Sequence, residues 1–179
     1  MTMNVNRGAK LVSDGQALSG MGAIIGDGGI GFRVWAPHAE AVTVMGDFNS
    51  WDAGATPLAS EGNGYWYGFA AGASVGQQYK YSITNGGNTV ARRDPYSLQV
   101  TNSVGNSVIY DHGAFDWEGT SAHCPPHNEL VVYELHVGTF NKAFGNVGNL
   151  YDAAYRLDHL IDLGVNCVQI MPVAEFAGD

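Results

Sequence analysis

The stretch Gly31–Trp51, GFRVWAPHAEAVTVMGDFNSW, constrains the fold of this chain more than any other. Phe32, Val34 and Ala36 alternate with Arg33 and Trp35, and Val42 and Val44 alternate with Thr43 and Met45. Period-two alternation puts successive side chains on opposite faces, so both runs predict half-buried strands with a bend at Pro37 between them. Tyr65–Phe69 and Gln77–Ile83 continue the signal, and Asn85-Gly86-Gly87-Asn88 supplies residues that tolerate the positive φ of a hairpin turn. Twenty-five glycines against six prolines fit many turns between short strands better than a helical bundle. The prediction is a mainly β chain whose residues 21–110 form an antiparallel β-sandwich. Residues 1–20, polar and aperiodic, are expected to be a loosely held lead-in. Trp35 and Trp66 fall inside strand patterns and are assigned to the core.

The alternation ends near Asp111. Residues 111–129 are rich in Asp, Gly, Ser and His and contain Pro125-Pro126, which cannot join a central strand, so they are expected to be a linker. Residues 130–179 have another character. Val131–Val137 is expected to be a strand and Gly138–Gly148 a loop. Leu150, Ala153, Ala154, Leu157, Leu160 and Ile161 then recur at helical spacing as one apolar stripe, with Asn149 as N-cap and Gly164 as the stop. Val165–Val173 is apolar almost throughout, so a strand buried on both faces is expected. Strand, helix and apolar strand make a β-α-β unit. A sandwich followed by such a unit predicts an accessory module ahead of an α/β barrel or a doubly wound sheet.

Composition limits the partners. Net charge is −9, and Arg92-Arg93 is the only basic pair, so a clustered phosphate-binding face is missing and nucleic acid is not an expected partner. No window approaches the roughly 18 apolar residues of a membrane span, so no membrane partner is expected. MTMNVNRGAK lacks the apolar core of a secretory signal, and two cysteines do not form a disulfide framework. The expected location is therefore the cytoplasm. His123, Cys124 and His127, with only His112 nearby, fall short of the paired spacings of a zinc site. No metal or cofactor is expected.

Two places could carry chemistry. Trp51 ends the polar turn Asp47-Phe48-Asn49-Ser50, where a large ring either caps the core or meets a ligand; the C–H face of a sugar would stack on it. Glu134 and His136 share one face of their strand, where satisfied internal hydrogen bonds are the expected state.

Gly31–Trp51, followed by Gly64-Tyr65-Trp66, Tyr79-Lys80-Tyr81 and Asp94-Pro95-Tyr96, resembles the family 48 carbohydrate-binding module. Val132-Tyr133-Glu134-Leu135-His136-Val137 and GVNCVQIMPVAE at Gly164–Glu175 resemble the first two barrel strands of glycoside hydrolase family 13, the second above all those of its branching-enzyme and trehalohydrolase members. The resemblance implies an immunoglobulin-like β-sandwich followed by the β-α-β start of an incomplete (β/α)8 barrel. It implies the N-terminal part of an enzyme that cleaves α-1,4-glucan by a retaining route and transfers it, or hydrolyses it. The implied partners are glycogen, starch or malto-oligosaccharide, and the remainder of the barrel. It also implies that Trp51 stacks on sugar and that Lys80 touches the ligand. A second stacking Trp of that family has no counterpart in Thr89–Arg93. Glu175 and Asp179 fall at the implied barrel rim, but the family's catalytic carboxylates come from later strands, so no catalytic residue is assigned. The other function class is a non-catalytic glycogen-binding scaffold, resembling the β-subunits of energy-sensing kinases; the β-α-β unit argues against it.

Overall fold

The structure, a computed structural model, describes residues 17–121, 124–142 and 147–173. They fall into two compact units, one ending at Asp116 and the other beginning at Trp117.

The first unit is antiparallel throughout. Its strands are β1 (Gly22–Gly26), β2 (Gly29–Trp35), β3 (Ala41–Gly46), β4 (Pro57–Gly62), β5 (Tyr65–Ala71), β6 (Gln78–Asn85), β7 (Asn88–Arg92), β8 (Gln99–Val100) and β9 (Ser107–Val108). They pair in the order β1-β2-β5-β4-β3-β6-β9-β8, with β7 also on β6. β4 pairs with both β5 and β3, so one continuous sheet curls over itself into two layers. The expected hairpin turn joins β6 to β7, with Asn85 opposite Asn88.

Alternation decides which side chains meet between the layers. Ile30, Phe32 and Val34 of β2 face Val42 and Val44 of β3 and Tyr79 and Tyr81 of β6, all buried. The Phe32 ring lies 5.0 Å from that of Tyr79, on a strand of the other layer. Burying each such side chain contributes about 1.5–3 kcal/mol, so this stripe is the principal reason the sheet closes. The two tyrosine hydroxyls need partners in so dry a place, and Asp94 provides them. Its Oδ2 accepts from Tyr79 at 2.6 Å and from Tyr81 at 3.4 Å, and its Oδ1 accepts from the Tyr96 amide at 2.8 Å. The Asp94 amide in turn donates to Ser107 Oγ at 3.0 Å.

Trp66 packs against this core, its indole N–H donating to the Ala36 carbonyl at 3.1 Å. Trp35 does not. It is 55% exposed, because it shares the outward parity of Arg33 rather than that of Phe32 and Val34. Of the lead-in, residues 1–16 lie outside the described residues. Leu18 is buried; its amide donates to the Tyr67 hydroxyl, and its carbonyl accepts from the Arg33 guanidinium.

The second unit pairs β10 (Val132–Leu135) in parallel with β11 (Cys167–Ile170), with helices between them in sequence. The strand–helix–parallel strand order is therefore present, with corrections to its parts. The expected strand Val131–Val137 ends at Leu135, and the start of the expected loop is the one-turn helix α1 (Val137–Phe140). The single stripe is two helices, α2 (Leu150–Ala154) and α3 (Leu157–Asp162), separated where Arg156 leaves helical geometry. Only Ala153 and Leu160 of the stripe are buried, against Leu135; Leu150, Leu157 and Ile161 are exposed. The last strand is also shorter than Val165–Val173, and Val168 and Ile170 are exposed, so it is not buried on both faces. Among the described residues each of these strands has one neighbour and keeps an open edge. The expected caps are in place. Asn149 Oδ1 accepts from the Tyr151 and Asp152 amides, the Asn149 amide donates back to Asp152 Oδ2, and Gly164 follows α3 at φ +81°.

Candidate functional site

At the end of β3 the chain turns sharply, and each residue of the turn has a separate task. Gly46 must be glycine: a Cβ there would fall 2.3 Å from the Gln78 carbonyl oxygen of neighbouring β6. A 3-10 turn, Asp47–Asn49, follows. Phe48 anchors it from below, its ring 5.4 Å from that of Phe32 and close to parallel with it. Asn49 ties it laterally. Its Oδ1 accepts from the Gly46 amide at 2.9 Å, and its Nδ2 donates to the Val44 carbonyl and Thr56 Oγ1, both at 3.0 Å.

On this base the chain passes Ser50 and Trp51, both left-handed at φ +56° and +60°. Two consecutive non-glycine residues there cost about 1–2 kcal/mol each, a strain retained only where the surroundings over-determine it. Trp51 is held at both ends. Its amide donates to the Gly46 carbonyl at 2.8 Å, and its indole N–H donates to Asp47 Oδ1 at 2.9 Å. Asp47 Oδ2 accepts from the Gln78 amide at 2.7 Å, fixing the carboxylate to β6. The ring is half-buried, with its polar edge already satisfied. With the indole N–H taken by Asp47, the ring keeps only apolar atoms for any further contact.

Lys80 lies on β6 two positions beyond Gln78, opposite Met45 of β3. Tyr79 and Tyr81 point into the core, so Lys80 points out, half-buried. Two residues of strand span about 7 Å, which puts Lys80 and the anchor of the Trp51 ring on neighbouring positions of one strand. On β7 the outward positions carry no aromatic residue. The site sequence reasoning missed is Asp47: an acid four residues before a turn Trp was the available signal.

Other candidates separate from this place. Glu134 and His136 are both exposed; His136, the N-cap of α1, has its Nδ1 3.0 Å from Thr139 Oγ1 within that helix. His123, Glu175 and Asp179 lie outside the described residues, among which no three His, Cys, Asp or Glu side chains gather as metal ligands. No helix among the described residues is long and apolar enough to cross a membrane.

The chain has clear relatives. Residues 20–97 match the model of carbohydrate-binding module 48, described as the isoamylase N-terminal domain. The chain is 34% identical to the 1,4-alpha-glucan branching enzyme GlgB of Salinibacter ruber, over 87% of this chain and 27% of that protein. It is 32% identical to the GlgB of Thermosynechococcus vestitus, over 84% of this chain and 24% of that protein. Among solved structures it is similar to the catalytic module of the multi-modular glycogen-degrading pneumococcal virulence factor SpuA, with TM-score 0.74 and 25% identity over 89% of this chain and 28% of that one. It is also similar to the pullulanase from Bacillus acidopullulyticus, with TM-score 0.68 and 26% identity over 88% and 22%. The chain spans about a quarter of the length of the curated relatives it matches.

Proposed function

We propose that the sandwich, whose residues 20–97 match the model of carbohydrate-binding module 48, holds α-glucan against Trp51 and Lys80. Glycogen, starch and malto-oligosaccharides share the ligand chemistry. The indole stacks on the C–H face of a glucosyl ring, and the Lys80 ammonium donates to a sugar hydroxyl. The observation that carries this reading is the fixed Trp51 ring. Its turn accepts left-handed strain and commits Asp47 to present an apolar face outside the core. A ring that only sealed the sandwich edge would need neither.

The second part of the proposal concerns the whole protein. Residues 21–110 act as the binding module, 111–129 as a linker, and 130–179 as the first β-α-β unit of a catalytic barrel. The parent activity is a branching-enzyme-like retaining transfer of α-1,4-glucan, or its hydrolysis, carried out in the cytoplasm. The parallel β10–β11 pair supports this over a free-standing scaffold, which has no use for such a unit.

Native electrophoresis through a glycogen-containing gel tests the reading. The chain is expected to be retarded relative to a glycogen-free gel, and Trp51→Ala and Lys80→Ala less so. Equal mobility of the wild type in both gels would refute glucan binding by this sandwich.

A further inference from the structure

Two Asn-Gly dipeptides stand in this chain, Asn63-Gly64 between β4 and β5 and Asn85-Gly86 between β6 and β7, each in the bend of a hairpin. The chemistry open to both is the same. The glycine nitrogen attacks the asparagine Cγ, ammonia leaves, and a cyclic imide closes. Water then adds to one imide carbonyl or the other, giving aspartate or isoaspartate. The attack needs a following residue with no side chain in the way, and a backbone free to rotate until the nitrogen faces Cγ. Both dipeptides meet the first condition. The structure separates them by the second.

At Asn63-Gly64 the end of β2 blocks the rotation. The Asn63 carbonyl accepts from the Trp35 indole N–H at 3.1 Å, and the Gly64 carbonyl accepts from the Ala36 amide at 2.7 Å. A Cβ at Gly64 would fall 2.7 Å from Pro37 Cα, so the turn is pressed against the chain that follows β2. Swinging this peptide breaks both bonds and drives it into Pro37.

Among the described residues no hydrogen bond holds the Asn85-Gly86 peptide from outside its own hairpin. Every residue from Asn85 to Arg92 is exposed, and a Cβ at Gly86 or Gly87 would meet nothing within 4 Å. β7 pairs with β6 alone. Its first rungs are Asn85 opposite Asn88 and Thr84 opposite Thr89, the latter with hydroxyls 2.9 Å apart. An exposed ribbon end of this kind opens locally at little cost, which gives the Gly86 nitrogen its approach.

We propose that Asn85 is a site of spontaneous deamidation, with water as the co-reactant, and that the fold shields Asn63 from the same reaction. Isoaspartate carries the main chain through the side-chain carbon, so the product adds one backbone atom at the end of β6, and a negative charge. Loop length sets hairpin register, and the pairing of Asn85 with Asn88 does not survive that insertion. β7 then parts from β6, while the core, to which β7 contributes no buried residue, stays closed.

The test incubates the whole 179-residue chain at mildly alkaline pH, where deprotonation of the attacking nitrogen speeds ring closure, and follows it by tryptic mass mapping. Cleavage after Arg33, Lys80 and Arg92 puts Asn63 and Asn85 on separate peptides. Labelling by isoaspartyl methyltransferase reports the isoaspartate share. In the folded chain Asn85 is expected to deamidate about tenfold or more faster than Asn63, which must first give up the bonds from Trp35 and Ala36. In urea the rates are expected to converge, because glycine follows both asparagines. Trp35→Phe, which removes the indole N–H, should speed Asn63 and leave Asn85 unchanged; circular dichroism checks that this variant is folded. Hydrogen exchange after incubation should quicken across β7 and hold across β2, β3 and β5. Equal rates at the two sites in the folded chain overturn the proposal. A ratio that persists in urea overturns it too, since sequence rather than fold would then set the order. An Asn63 rate unmoved by Trp35→Phe overturns the shielding, and unchanged exchange in deamidated β7 overturns the loss of register.

Discussion

Asp47 and Asp94 are both acids in a sandwich that has little use for charge, and their surroundings give them opposite work. Asp47, exposed at the sheet end, uses both oxygens to steer an indole. Asp94 is buried among tyrosines, and desolvation pushes its carboxyl above the ordinary range while the Tyr79, Tyr96 and Tyr81 donors pull the other way. A folded value above the unfolded one means Asp94 stabilises the fold fully at low pH, and that contribution is lost as pH rises through the folded value. Glu61 has the opposite sign. The Arg33 hydrogen bond holds it below its ordinary range, so its contribution is present above that range and is lost as pH falls through the folded value. Urea unfolding from about pH 7 to about pH 3 is therefore expected to show the advantage of wild type over Asp94→Asn growing, and that over Glu61→Gln shrinking. Flat differences in both series would contradict the assignment. The turn that ends at Trp51 was legible because an aromatic after a polar turn is a local pattern, whereas Lys80 was singled out by the family resemblance alone. Long-range partners were not legible: Glu61 reaches Arg33 across 28 positions of chain, a relation no local pattern contains.

At the scale of elements, legibility followed how much of each strand is buried. β2, β3, β5 and β6 alternate because one face meets the core, and the sequence marks them closely. Trp35 was misassigned because membership of a strand does not say which parity faces in when the outward face is itself aromatic. The helical stripe from Leu150 to Ile161 was read as one helix, yet α2 and α3 pack only through Ala153 and Leu160. Helices this short draw their stability from packing rather than propensity, so periodicity alone did not fix their length. β10 and β11 likewise shrink to four residues each, with Val132, Val168 and Ile170 exposed. Hydrogen exchange is expected to be slow across β2, β3, β5 and β6 and fast across β10 and β11. Equal, strong protection in both units would contradict the weaker cohesion assigned to the second.

Across the whole molecule, the central claim is that the first unit is built to present a fixed ring to a sugar. On that proposal, core, turn and strand register act together. Phe32 supports Phe48, Phe48 and Asn49 support the turn, and Asp47 sets Trp51 beside the strand that carries Lys80. The acidic net charge sets no obstacle, since a neutral polymer is indifferent to it. Calorimetric titration of maltoheptaose into the wild type and Trp51→Ala tests the claim most directly. Loss of the ring is expected to cost about 1–3 kcal/mol at that site, by analogy with aromatic stacking on bases, a dissociation constant about 5- to 150-fold weaker. A Trp51→Ala chain that is folded and reproduces the wild-type titration curve would contradict the claim.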